Sequence, residues 1–238
     1  MRKEIVEGIN AARAERRAVV TVTELGSGAQ RLVAESDIGA DPLADIIEKA
    51  FRSGKSGMAV TASGEAFINV YLPPARIVLI GAVHISQALA PMARLAGYDV
   101  EIIDPRTAFA TPERFVGIDL SAEWPDKILK ERPLDAYTAI ALITHDPKID
   151  DGPLIEALNA GCFYIGALGS RKTHARRIER MKEAGFTDAM LARIDAPIGA
   201  DIGAATPGEI AVAIMAAIIE AFRKRKMFAA RRGEQPAS

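Results

Sequence analysis

Cysteine is almost missing from this chain. Cys162 stands alone, which excludes an internal disulfide and any multi-cysteine zinc or iron-sulfur centre and suits a reducing compartment, so the cytoplasm is the expected location. Aromatic residues are scarce, at 5%, and 30 basic side chains meet 31 acidic ones for a net charge of -1. Neither base stacking nor attraction to a phosphate backbone is favoured by that balance, and nucleic acid is not an expected partner. Long apolar runs are absent too. Ile210 to Ile219 is the longest, is followed by Glu220, and is too short to span a bilayer. Met1-Arg2-Lys3-Glu4 leads into a charged amphipathic stretch, not into the apolar core of a signal peptide. The 19 glycines and 13 prolines are close to ordinary usage, which excludes collagen-like and low-complexity chains. What is present, 238 residues with 49% hydrophobic and 26% charged, describes a soluble globular protein of one large domain or a small plus a medium one.

Residues 1–72 read as a small α+β domain. A helix runs to about Arg16, and Ala18 to Thr23 is a Val- and Thr-rich strand followed by the Gly26 to Gly28 turn. Arg31 to Glu35 is a second strand, Asp41-Pro42 opens a helix to about Phe51, and Met58 to Thr61 pairs with Ala66 to Leu72 across Ser63-Gly64. Pro73-Pro74 then stops regular structure and marks the boundary. From 73 to 238 short β-branched runs alternate with helical periodicity, the pattern of a parallel sheet covered on both faces. Strands are expected at Arg76 to Ile80, Asp99 to Ile103, Thr138 to Ile143 and Cys162 to Ile165, with an edge strand near Val116 to Leu120. Helices fall at about Ile85 to Ala96, Pro125 to Glu131, Leu154 to Asn159 and Ser170 to Ala184. A long final helix begins behind Thr206, Pro207 and Glu209, a capping box with proline at its first position. The fold class is α/β, a doubly wound Rossmann-like sheet with strand order 3-2-1-4-5. The basic end, Arg223 to Lys226 with Arg231 and Arg232, reads as a solvated helix terminus complementing the dipole.

In such a sheet ligands bind beyond the carboxyl ends of the strands, and the unusual residues fall there. Gly81 opens a partial dinucleotide fingerprint in which Val83 and Ser86 replace the second and third glycines, which pushes a conventionally placed pyrophosphate away. His84 begins the next helix as a neutral imidazole facing ligand, or as a histidine bonded to nearby backbone. Asp104 is placed to bind ribose hydroxyls or to cap local amides, and Arg106 beside it to hold a phosphate. Thr144-His145-Asp146-Pro147-Lys148 delivers a proton-transfer group, a carboxylate and a cation to the same rim, although Asp146-Pro147 is also ordinary turn chemistry. Gly166 and Gly169 allow close backbone approach, and Ser170 and Arg171 make the mouth of the following helix an anion cradle, with His174 one turn inside. Lys172, Arg176, Arg177 and Arg180 read as a solvated face. The Gly199 to Gly203 segment, carrying Asp201, is a compact loop able to close over the site. Cys162, inside a strand, reads as a buried inert thiol.

In this order, the Gly81 to Ser86 loop, Asp104-Pro105-Arg106, Thr144 to Lys148, Gly166 to His174 and Pro197 to Gly203 resemble the XdhC/CoxI family of accessory proteins for molybdenum hydroxylases, over roughly Arg76 to Arg223. The resemblance implies a maturation chaperone that binds the molybdenum cofactor, as molybdopterin or its cytosine dinucleotide. It would protect that cofactor during sulfuration and pass it to the large subunit of a xanthine or carbon monoxide dehydrogenase. It also implies contact with a cysteine desulfurase and a homodimer. Many relatives carry a Gly-Gly-Cys-Val-Glu stretch in the N-terminal domain and a glycine at the place of Val83. This chain has neither, and its short N-terminal domain is more like the carbon monoxide dehydrogenase branch. Two other readings stay open. One is an NAD(P)-dependent oxidoreductase, with Asp104 and Arg106 on the adenosine half and His145 as acid/base, although no Tyr stands four residues before a Lys near the fourth strand. The other is a copper, zinc or nickel site formed by the three histidines.

Overall fold

The computed structural model describes residues 2–62 and 64–224. Ser63 and the basic residues Arg225, Lys226, Arg231 and Arg232 lie outside them. The chain divides into two compact units, one up to Pro73 and the other Pro74–Lys224.

The first unit contains α1 (Lys3–Ala14), β1 (Val19–Glu24), β2 (Gln30–Ala34), a 3-10 turn, α2 (Ala44–Ser53), β3 (Gly57–Thr61) and β4 (Gly64–Tyr71). Its four strands form an antiparallel sheet in the order β2-β1-β4-β3. β4 shows the period of two in its burial, Ala66 and Ile68 inward and Phe67 outward. Ile47, Ala50 and Phe51 form the buried stripe of α2. That helix starts later than Asp41 because the Asp41 carboxylate is engaged before it, accepting from the Leu43 N–H at 2.8 Å and from Arg31 at 2.8 and 2.9 Å.

The second unit runs β5 (Arg76–Ile80), α3 (His84–Leu95), β6 (Asp99–Ile103), β7 (Asp119–Ser121), α4 (Pro125–Glu131), β8 (Thr138–Leu142), α5 (Pro147–Ala160), β9 (Tyr164–Ala167), α6 (Arg171–Glu183), α7 (Asp188–Leu191), β10 (Ile194–Asp195) and α8 (Pro207–Lys224). All six strands are parallel, in the order β10-β9-β8-β5-β6-β7. The expected order of five strands is present, and β10 extends it. Ile77 and Leu79 pack on α3 and α8, whereas Val78 and Ile80 face α4, α5 and α6. The central strands β5 and β8 are therefore buried on both sides, and period-two alternation is lost in them.

Two expectations need correction. α5 begins at Pro147, well before Leu154, because Asp146 caps it by accepting from the Lys148 N–H at 3.0 Å. It runs through Gly152, where a β-carbon would collide with the Asp126 carboxylate. Cys162 is not in a strand. Gly161 ends α5 at φ 70, and the Cys162 N–H then bonds the Ala157 carbonyl at 3.2 Å, so β9 starts at Tyr164. The thiol is still buried, at 1% exposure, and burial pushes it up to about 12.

Candidate functional site

β9, β8, β5 and β6 are consecutive neighbours in the sheet, so the loops leaving their carboxyl ends share one rim. Contacts between the loops show how closely they meet. Gly81 follows β5 at φ 124, and a β-carbon there would lie 3.0 Å from Thr144 Cγ2 and 3.3 Å from Ile143. Only glycine permits this approach of the β5 and β8 loops. Ser86 is fully buried and binds back to the Gly81 carbonyl, which closes the β5–α3 turn where a third fingerprint glycine would stand. Val83 is half-buried and packs against the core shared with α3.

Asp104, at the end of β6, has no exposed surface. Its carboxylate accepts from the Ala82 N–H at 2.7 Å, from the Arg106 N–H at 2.9 Å, and from Arg106 Nε and Nη2 at 2.9 and 2.7 Å. Burial pushes its pKa up, but the Arg106 and amide hydrogen bonds outweigh burial and hold it below the ordinary carboxylate value. The capping alternative is therefore the one present for Asp104, which ties the β5 and β6 loops together, while the Arg106 side chain keeps about a third of its surface exposed. Arg106 also lies over the Phe109 ring at 4.7 Å. Its pKa is raised by the Asp104 hydrogen bonds against burial, and the charges of Asp150 and Asp146 add to the effect. The β6 and β8 loops thus face each other across β5.

His145 sits in the left-handed region, at φ 64. The turn is held by Thr144, whose Oγ1 accepts the Asp146 N–H at 3.1 Å and donates to Asp150 Oδ1 at 2.6 Å. Asp150 is 1% exposed, and burial raises it to about 6 despite the Thr144 hydrogen bond and the charge of Arg177. Arg177 is 3% exposed, which corrects its reading as part of a solvated face. Its Nη2 donates to the Leu168 carbonyl at 3.0 Å, while Nε and Nη1 are buried without partners, as are Asp150 Oδ2 and His174 Nδ1. His174 is held below its ordinary value, first by burial and then by Arg177. Sequence reasoning misses Asp150 and Arg177 as site residues, although Arg177 shares the helix face of His174 and the buried Met181.

Ser170 caps α6, accepting the Thr173 N–H at 3.2 Å. Gly169 has φ 139, so the Gly169-Ser170 turn does depend on glycine. Gly166 has a different reason: its missing side chain is filled by Ile198, 2.6 Å from where a β-carbon would be, and by Tyr164. That glycine serves packing and offers no bare backbone to a ligand. Gly199, at φ 92, lies against the α8 backbone, and the Ala200 N–H bonds the Ala213 carbonyl at 3.0 Å. The start of the 199–203 segment is thereby fastened to α8, and Asp201 is exposed, with no hydrogen bond or ion pair to the rim groups among the described residues. His84, His145, Lys148 and Arg171 are exposed and carry no side-chain hydrogen bond or ion pair among the described residues. No cluster of three or more metal-ligating side chains occurs among the described residues, which gives no support to the alternative in which the three histidines hold a transition metal.

The family model described as the XdhC Rossmann domain matches residues 77–218, a span that runs from β5 into α8 and takes in every loop of this rim. The chain belongs to the XdhC family. Among curated relatives of this XdhC-family chain, the "Uncharacterized protein YqeB" of Escherichia coli (strain K12) is 34% identical over 176 residues, 71% of this chain and 32% of that protein. The "Molybdenum cofactor insertion chaperone PaoD" of the same organism is 28% identical, over 62% of this chain and 40% of its own length. A relative from Bacillus subtilis (strain 168), named as a probable xanthine dehydrogenase component, is 32% identical, over 67% of this chain and 46% of its own. The chain thus spans less than half the length of these relatives. A crystal structure described as a xanthine dehydrogenase (BH1974) from Bacillus halodurans shares the fold, with a TM-score of 0.65 at 21% identity, covering 97% of this chain and 69% of that one. No helix among the described residues is long and apolar enough to cross a membrane.

Proposed function

We propose that this protein is a maturation factor that binds the molybdenum cofactor, shields it during sulfuration and delivers it to the large subunit of a molybdenum hydroxylase. The observation that carries the reading is the division of charge along the rim. Asp104 and Arg106 neutralise each other, whereas Lys148 and Arg171, beside the N-termini of α5 and α6, have no ion-pair partner among the described residues. A pterin bearing a phosphate or a cytidine diphosphate linkage is an anion, and exposed cations beside helix N-termini suit it. His84, His145 and His174 stand on the same rim, where they would face the pterin or molybdenum end. The relative PaoD, named as a molybdenum cofactor insertion chaperone, supports this assignment. Contact with a cysteine desulfurase, a homodimer, a cytoplasmic location and service to a carbon monoxide dehydrogenase belong to the same proposal.

The consumption of Asp104 by Ala82 and Arg106 weighs against the NAD(P) alternative, which needs an acidic acceptor for the adenosine ribose. The test is to purify the protein from cells that make molybdopterin and identify its small-molecule cargo by mass. Recovery of molybdopterin or its cytosine dinucleotide, with saturable rebinding, is expected. Recovery of NADPH, or no saturable cofactor binding, would overturn the assignment.

A further inference from the structure

Leu95 and Val116 are the two most exposed large apolar side chains among the described residues, at 91% and 82%. They do not stand singly. Both line one groove of about 450 Å³, together with Pro91, Phe115 and Ile118. One side of this groove is the C-terminal half of α3, where Pro91, Arg94 and Leu95 share a face. The other is the segment that leads into β7. The turn displaying Val116 is tied down: Gly117 takes φ 72, the Ile118 N–H bonds the Phe115 carbonyl at 3.1 Å, and Arg94 Nη1 donates to the Gly117 carbonyl at 2.6 Å. Arg114 fastens the groove to the rim. Its Nη1 donates to the Phe109 and Ala82 carbonyls at 2.7 and 3.0 Å, and its Nη2 to Gln87 Oε1 at 3.0 Å. Ala82 lies in the β5–α3 loop, two residues before His84. Every hydrogen-bond acceptor of Arg94 and Arg114 among the described residues is a neutral carbonyl or amide oxygen, and the exposed Glu113 pairs with neither.

We propose that this groove is the docking site for a segment of a partner protein that carries an aliphatic side chain flanked by carboxylates. Exposed Leu95 and Val116 add nothing to the core, and a contiguous apolar surface with a polar border marks an interaction site. Holding Val116 in a fixed turn lowers the ordering cost of binding. The two guanidinium groups, whose charge no carboxylate offsets among the described residues, select an acidic occupant and favour its approach. A second copy of this chain is the poorer fit, because an isologous contact sets Arg94 and Arg114 against their own symmetry mates. A bilayer fits poorly as well, since a flat surface meets only the edges of a groove. Through Arg114 and Ala82 the occupant sits beside the loop that carries His84. That this places the partner next to the cargo rests on the cofactor-binding reading; the groove and the chemistry of its occupant do not.

Photo-crosslinking tests the site. The photoreactive p-benzoylphenylalanine replaces Val116 in the full chain, inside the cells that make the native protein, and the cross-linked peptide is sequenced by mass spectrometry. One partner protein is expected, joined through a segment with an aliphatic residue within a few positions of Asp or Glu. Once purified, that partner should bind Val116→Ser and Leu95→Ser about tenfold more weakly than the wild type, with melting temperatures unchanged because both side chains are exposed. Binding to the wild type should weaken with salt. Arg94→Gln should reduce that salt response, and Arg94→Lys should keep it. Cross-links only to a second copy, only to lipid or to nothing, a captured segment without carboxylates, or wild-type affinity in both serine variants would overturn the proposal. Molybdenum cofactor retention is measured alongside and should be equal in Val116→Ser and wild type. A chain that captures the acidic segment yet holds no cofactor would sink the functional reading and leave the groove standing.

Discussion

At the scale of single residues, Asp150 is where stability and site geometry conflict. Its folded pKa, about 6, lies above the ordinary carboxylate value. The sign follows from linkage: a group raised on folding favours the fold fully when protonated, below its unfolded pKa, and that contribution is lost as pH rises through about 6. Asp150→Asn, which resembles the protonated form, should therefore raise unfolding free energy at pH 8 by ~1–3 kcal/mol and flatten the pH dependence between pH 4 and 7. Denaturant titrations at several pH values check this. A lower stability of the variant at pH 8 would show that Arg177 depends on the carboxylate more than burial penalises it. Sites commonly hold such costs in exchange for geometry.

At the scale of elements, the capping box of α8 is legible in sequence because it is local chemistry. The Glu209 N–H donates to Thr206 Oγ1 at 3.3 Å, and the Glu209 carboxylate accepts from the Thr206 and Ala205 N–H groups at 2.9 and 2.8 Å. Thr206→Ala should cost about 1 kcal/mol, read as a shift in the midpoint of thermal or denaturant unfolding. The strands β5, β6 and β8 are legible for a similar reason, as continuous β-branched runs. What the sequence hides is set by tertiary contact. α5 starts well before the expected Leu154 and passes through Gly152 and Pro153, Gly152 fitting against Asp126. β10 spans only Ile194–Asp195 and shows no pattern of its own. Gly166 and Arg177 mislead because Ile198 and Leu168, the groups that explain them, are distant in sequence or meet them only through the turn.

At the scale of the molecule, the rim is the feature that a sequence-ordered list of motifs anticipates and the sheet order realises. Gly81, Asp104, Arg106, Thr144 and Asp146 come from separate segments and are linked by the contacts Gly81–Thr144, Asp104–Ala82, Asp104–Arg106 and Thr144–Asp146. If an anionic cargo sits there, the double variant Lys148→Gln, Arg171→Gln should weaken its binding by about tenfold, ~1.4 kcal/mol, and make binding less sensitive to salt. Both side chains are exposed, so the melting temperature should hold. Titration at two ionic strengths separates this outcome from a site elsewhere, for which affinity and salt slope would both stay as in the wild type.

The burial of Cys162 bears on how sulfur would travel. A thiol with 1% exposure, pushed up to about 12, presents almost no thiolate at neutral pH. This chain therefore has no residue suited to carry a persulfide. If this chain holds the cofactor during sulfuration as proposed, a sulfur atom bound for that cargo would pass to it directly from the donor, with this chain as the vise that holds the workpiece and not as a link in the relay.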